Sequence, residues 1–439
     1  MTGSGLARSL RLPHATALVV GTILGASVFV QASELTEHVP RIWAVLLAWI
    51  VSGVLTLFGA LACAELASAF PRTGGVYVFL KETYTPIVGF LWGWAMFWVM
   101  HSGIIAAMSM VFGRYAAFFV PLSDRGIRAV AVTTIVGISF LNYLGVRRSS
   151  AVQTVFTTGK VLAVLSIVVV GFSVGSRLPA HFQEGTMTAD ASIGPQGFLL
   201  ALIAGLFAFG GWHVVTYTAE ETIDPERTIP RALAFGILIV TACYVALNAV
   251  YFYVLPLDRV EKSTRVAADV ATTLLGAPGG AAVSGLVMFS VFGAMTGSIL
   301  AAPRVYFAMA RDGLIFRWMA DVHPRYRTPH RAIGLQAIWA SALVWSGTYR
   351  QLFTRVIFTE WIFFALMAGG IFLLRRRPGY APVYRVWGYP WVPAVFVLAS
   401  ATIVVNRLVS EPFDSFAGLA LVGLGVPAYF AWRARLGKI

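Results

Sequence analysis

The chain has 439 residues, of which 58% are hydrophobic and only 12% charged; charged residues make up roughly a quarter of a soluble globular chain, so that class is excluded. The net charge of +14 does not point to a nucleic acid, because the basic residues fall in short segments between long apolar runs, the pattern that sets membrane topology. The only two cysteines, Cys63 and Cys243, lie inside apolar runs, which excludes a disulfide framework.

Stretches of about 20 residues with few or no charges are transmembrane candidates. Charge-free windows run 12–33, 42–64, 83–113, 129–146, 191–219, 232–257, 270–303, 332–349, 386–406 and 415–432. Two further windows carry one charge each, 149–176 with Lys160 and 356–374 with Glu360. The pattern predicts an all-α polytopic membrane protein of twelve spans with short connections. The first window ends in "VFVQASE" without a small-residue cleavage site, so it is kept as a span and not taken as a leader. Most of the 33 basic residues fall on one side of the twelve-span arrangement, which predicts cytoplasmic N- and C-termini.

Span one reads "VVGTILGASVFVQASE" over residues 19–34, with Gly21 and Gly25 in its first half and Thr22 and Ser27 among the apolar residues. Backbone groups in lipid must be bonded within the chain or line a protein cavity. A broken helix offers free N–H groups to an anion and unwound carbonyls to a cation, so one break can hold both charges of an α-amino carboxylate. Span six carries a matching interruption, Gly205, Gly210 and Gly211 followed by Trp212 and His213. The plainer alternative is that these glycines only let helices pack closely.

Lys160 adds a third part. It lies about 16 Å into span five at about 1.5 Å per residue, near mid-bilayer, where a charge costs about 2.5–3.5 kcal/mol and usually faces an interior cavity. Its ammonium is expected to donate to unwound carbonyls of span one and to a hydroxyl of span eight, Ser298, in the place a sodium ion would otherwise take. The alternative is a lysine that reaches an interface.

These segments resemble the amino acid–polyamine–organocation superfamily, and within it the L-type amino acid transporter group. "VVGTILGASVFV" is similar to that family's span-one signature, usually Gly-Ser-Gly-Ile-Phe. "GALACAELASAFPRTGGVYVFLKETY", "VFTTGKVLAV", "FAFGGWHVVTYTAEETIDPERTIPRA", "FGAMTGSILAAPRVYFAMARDG" and "HPRYRTPHRAI" match further segments in order. The resemblance implies a single transporter domain built of two inverted five-helix repeats, 12–176 and 191–374, plus two helices at 386–433. It also implies alternating access in the plasma membrane, with an amino acid, alone or together with protons, as the passenger and no cofactor. In that scheme the substrate carboxylate meets N–H groups around Gly25, Ala26 and Ser27. The amine meets carbonyls near Thr22, Ile23, Phe207, Ala208 and Gly210. Phe207 acts as a lid, and Trp212 and His213 shape the side-chain pocket.

The chain departs from the family pattern in two places. Gly25-Ala26-Ser27 stands where Gly-Ser-Gly is usual; the Ser27 β-carbon narrows backbone approach while its hydroxyl is itself able to bind the carboxylate, which suggests a small substrate or a less usual one. His213 stands where asparagine is common, and an imidazole titrates near neutral pH; the other reading is a neutral histidine bonded in the bundle. The loop after span three, "VPLSDRGIRA", lacks the cysteine by which animal members join a glycoprotein partner, so no disulfide-linked partner is expected.

Other polar residues receive plainer readings. His101 is expected to be a core histidine satisfied by a neighbour. Glu360, soon after Arg355, is read as an interfacial carboxylate, with proton coupling as the alternative. Glu220 and Glu221 are read as a cytoplasmic salt-bridge gate or a solvated turn, and Arg375, Arg376 and Arg377 as topology anchors. There is no nucleophile elbow, His-x-x-x-His pair or phosphate loop, so no catalytic or metal residue is expected. A polyamine carrier would need carboxylates in spans one, three, six or eight, and none is found there. A membrane enzyme acting on lipid-linked substrates would need an interfacial acid, base or metal cluster. The expected function is sodium-independent amino acid transport, by exchange or proton symport.

Overall fold

The computed structural model describes residues 8–25, 27, 31–175, 194–263, 265–346 and 349–436. Helices follow the order of the predicted spans. Span one begins at Leu12 with Pro13 in its first turn, where a missing N–H costs nothing, and its helix ends at Ile23. The chain leaves helical geometry at Leu24, with ψ 71°, and a second helix runs Gln31–His38. The predicted single window 12–33 is therefore two helices. Span two runs Ile42–Ala69. Its 28 residues extend about 42 Å, more than the roughly 30 Å hydrocarbon core.

After a turn at Gly74 and Gly75, a short helix, Val76–Thr83, leads to span three. Span three begins at Pro86 and passes through one π-helical segment, Met96–Met100, before continuing as His101–Ala116. Span four is Asp124–Tyr143, capped by Ser123, whose hydroxyl accepts from the Gly126 N–H, and span five is Val146–Gly175. Span six is a helix at Pro195–Ala208, a break at Gly210 and Gly211, and a 3-10 helix at Trp212–Glu221. Span seven is Pro225–Val254. Two short helices, Leu257–Lys262 and Val266–Leu275, precede span eight, Ala277–Ala301, which continues as Pro303–Arg311. Spans nine to eleven are His330–Ser346, Tyr349–Leu374 and Trp391–Ser410. Span twelve is divided into Pro412–Gly423 and Gly425–Leu436.

Among the described residues, nine helical runs are long and apolar enough to cross a membrane, and Leu12–Ile23 and Thr359–Leu374 are apolar but shorter. The one extended pairing among them is an isolated bridge between Leu10 and Thr222. The core lies among spans one, two, three, six, seven, eight and ten. Span seven packs along spans two and one, and span six along span two. Span eight packs on spans three, five and one, and span ten on spans eleven and three. Apolar residues such as Val155, Leu162 and Val169 of span five and Phe235 and Leu238 of span seven are exposed. They face outward, as lipid requires of a spanning helix.

Candidate functional site

Where span one unwinds, its carbonyls lose their helical partners and must find others. Lys160 supplies two of the bonds: its Nζ donates to Gly21 O and Leu24 O, each at 2.9 Å. Lys160 is 2% exposed, so the alternative of a lysine snorkelling to an interface does not hold. A Cβ on Gly21 would lie 2.2 Å from both Gln153 Nε2 and Thr157 Oγ1 of span five. The absence of a side chain there lets the two helices approach closely enough for the lysine to reach. Thr157 Oγ1 also donates to Ala17 O at 2.9 Å.

The span-eight hydroxyl that meets this break is Ser290. Its Oγ lies 3.2 Å from Leu24 O and 3.5 Å from Gly25 O. Ser298 was the expected partner; it is buried two turns further along the helix, and the register of span eight puts Ser290 level with Leu24 instead.

The two breaks meet. Thr22 Oγ1 bonds to Leu18 O at 2.7 Å and lies 3.2 Å from Gly211 O. Gly211 has φ +97°, and a Cβ there would sit 3.3 Å from Thr22, so glycine both permits the left-handed turn and allows the contact. Tyr244 of span seven spans both breaks, its Oη 3.0 Å from Ile23 O and 2.8 Å from Ala208 O.

The profile of the family described as "Amino acid permease" matches residues 10–418. The chain belongs to the amino acid permease family. It is 32% identical over 438 residues to the serine/threonine exchanger SteT of Bacillus subtilis (strain 168), covering 98% of each chain. It is 30% identical over 431 residues to the human cystine/glutamate transporter, covering 97% of this chain and 85% of that one. It is 29% identical over 446 residues to mouse Asc-type amino acid transporter 1, covering 98% and 82%. The permease is thus a multi-pass membrane protein that transports amino acids, and not an enzyme.

The expected substrate groups are distributed as follows. The Gly25 N–H, expected to face a carboxylate, donates to Ile23 O at 2.6 Å. Ala26 lies outside the described residues, and Ser27 is partly buried. Of the expected amine acceptors, Ile23 O and Ala208 O are engaged by Tyr244, and Phe207 O accepts from Gly210 N–H at 2.8 Å. Phe207 itself is half-buried beside the core. Trp212 and His213 were expected to shape the side-chain pocket. Trp212 packs on Phe364 of span ten and Phe396 of span eleven, and His213 on Trp92 of span three and Phe364.

Two plainer readings are overturned and a third is extended. Glu360 is not interfacial: it is buried, with its Oε1 3.6 Å from His213 Nε2. His101 is not fully satisfied, because its buried Nδ1 has no hydrogen-bond partner among the described residues. Arg375 is more than an anchor. It forms a bidentate pair with buried Glu65, at 3.0 and 2.6 Å, which holds its guanidinium pKa above the ordinary value. These features, like Tyr244 and Ser290, carry no local sequence signal, since apolar flanks look alike whichever way the helix is turned.

At the end of span six both glutamates are ion-paired. Glu221 and Arg304 form a fully buried bidentate pair, at 2.8 and 3.0 Å, and Glu220 pairs with Arg311 at 2.9 Å. The Ser9 and Leu10 N–H groups donate to Glu221 O, strapping the segment before span one to the same point.

Proposed function

We propose that the permease carries small neutral amino acids by alternating access and needs no sodium. The observation that carries this reading is Lys160 Nζ seated on Gly21 O and Leu24 O. A sodium ion would need those oxygens and would meet the ammonium's repulsion, about 3 kcal/mol for unit charges about 5 Å apart at an effective dielectric of about 20.

A zwitterion fits the groups at the breaks. Backbone carbonyls, hydroxyls and one fixed cation line them, with no carboxylate bonded to either break among the described residues. That absence argues against a polycation as passenger. Substrate entry would require Tyr244 to release Ile23 O or Ala208 O, making the phenol a latch that the substrate amine displaces. Serine and threonine are the named passengers of the SteT relative, and a serine at position 27, where a glycine is usual, agrees with small side chains.

The swapped packing of span one on span seven and span six on span two supports two inverted repeats, 12–176 and 191–374, with two helices added at 386–433. The basic residues on the face of the Glu221–Arg304 pair support its lying in the cytoplasm of a plasma-membrane protein, with the permease closed on that side. The two cysteines are free and buried in helices, which supports a carrier without a disulfide-linked partner.

The test is uptake of labelled serine, threonine, leucine and putrescine into proteoliposomes preloaded with unlabelled amino acid, in sodium and in choline buffer. The reading requires equal amino acid uptake in both buffers and none of putrescine. Uptake that collapses in choline would overturn it.

A further inference from the structure

His101, His213 and Glu360 come from three different spans. His101 opens the helix after the π-helical segment of span three, His213 lies two residues past the Gly211 turn, and Glu360 lies in span ten. All three are buried, and one nitrogen or oxygen of each lies within 4.8 Å of the others. The nearest pair is His213 Nε2 and Glu360 Oε1 at 3.6 Å. Among the described residues, His101 Nδ1, both ring nitrogens of His213 and Glu360 Oε1 have no hydrogen-bond partner. The walls are aromatic: Trp92, Trp212, Tyr217 and Phe364 all contact the His213 ring.

Charge counting constrains this cluster. Tyr217 on the same half-helix is the titratable group against both imidazoles; Cys63 of span two and Tyr306 of span eight are buried in the surrounding core. Among the described residues Glu360 has no ion pair other than His213. A bare carboxylate taken out of water costs several kcal/mol unless paired. One proton, on the carboxyl or on an imidazole facing it, leaves the cluster neutral. Removing it leaves a buried anion, and adding a second leaves a buried cation. The donor spacing, up to 4.8 Å, is wide for zinc, whose ligands at about 2.0–2.1 Å stand closer together.

We infer that His213, His101 and Glu360 form a binding site for a single proton, separate from Lys160, and that this proton travels with the amino acid. His213 belongs to the half-helix that begins at the Gly211 turn and ends at the Glu221–Arg304 pair, while Glu360 and His101 stand on its neighbours. Movement of that half-helix as access alternates separates His213 from Glu360 and opens the pair to water, releasing the proton. This deepens the alternating-access reading and rests on it.

The test uses the full chain in proteoliposomes holding a pH-sensitive dye. Labelled serine entry and lumen acidification are followed together, with equal starting pH on both sides. The expected result is acidification that depends on serine, with a proton-to-serine ratio that falls to the protein-free background in Glu360→Gln and in His101→Gln. The readout is the ratio, so a slower variant still decides. Each variant's melting temperature is measured beside it, and either folded variant suffices. If neither folds, the wild type decides, by proton uptake from weakly buffered detergent solution when serine is added. Serine entry without acidification, or an unchanged ratio in a folded variant, overturns the proton site while leaving amino acid transport standing. No serine, threonine or leucine entry at all overturns the transport reading instead. Stabilisation of the wild type by zinc chloride that is lost in Glu360→Gln overturns the proton reading in favour of a metal.

Discussion

The Tyr244 hydroxyl lies 3.0 Å from Ile23 O and 2.8 Å from Ala208 O, so one side chain of span seven offers its single O–H to a carbonyl of each broken helix. Trp49 and Phe209 hold its ring at centroid distances of 4.9 and 5.0 Å. Tyr244→Phe keeps that packing and removes the shared O–H. Losing that one donor between two buried carbonyls costs about 1–3 kcal/mol, so the variant melts lower. Because substrate amine can then replace the lost bonds without competition, added serine stabilises it more than it does the wild type. Thermal shifts with and without serine check both parts.

Lys160→Met removes the ammonium from Gly21 O and Leu24 O. The loss of charge-assisted bonds, each worth about 1.5–3 kcal/mol, loosens span one against span five, and serine exchange stops. Lys160→Arg does not restore it, since a planar fork cannot replace a compact ammonium between two carbonyls. Exchange assays on proteoliposomes with matched protein content decide this.

Gly211→Ala forces a side chain into φ +97° and to 3.3 Å from Thr22. The left-handed backbone alone costs about 1–2 kcal/mol. The melting temperature falls and exchange slows, whereas Gly137→Ala, where an added Cβ meets nothing within 4 Å, changes neither.

The Glu221–Arg304 pair is fully buried. Removing one partner strands a charge, at about 3–5 kcal/mol, whereas replacing both with apolar groups is often nearly neutral. Arg304→Met alone therefore destabilises strongly, and Glu221→Leu with Arg304→Met recovers most of the loss. A double-mutant cycle of melting temperatures measures the coupling. A double variant as unstable as Arg304→Met would show that packing, not charge, holds this point.

Much of the architecture was legible because lipid imposes a one-dimensional rule. Apolar length marks a span, and a glycine pair or buried lysine within one marks a departure from it. The paired interruptions at Gly25 and Gly211, and Lys160 between them, stood out for that reason. Glu360 did not, because it lies only five positions after Arg355, and hydropathy places such a residue near an interface. The helix runs Tyr349–Leu374, and its packing on span three puts Glu360 against His213 instead. Ser298 and Ser290 were equally eligible from sequence, separated by two turns of one helix.

The sequence by itself determined the family, the order of the spans and the positions where helices must break, since each follows from a local property: apolar length, a missing side chain or a charge out of place. Only the tertiary structure decided which groups satisfy those breaks. Tyr244 and Ser290, the burial of Glu360 beside two histidines and the Glu221–Arg304 pair all depend on the rotation and register of one helix against another. Packing between distant segments sets those two quantities, and hydropathy, which reports only depth in the bilayer, does not contain them.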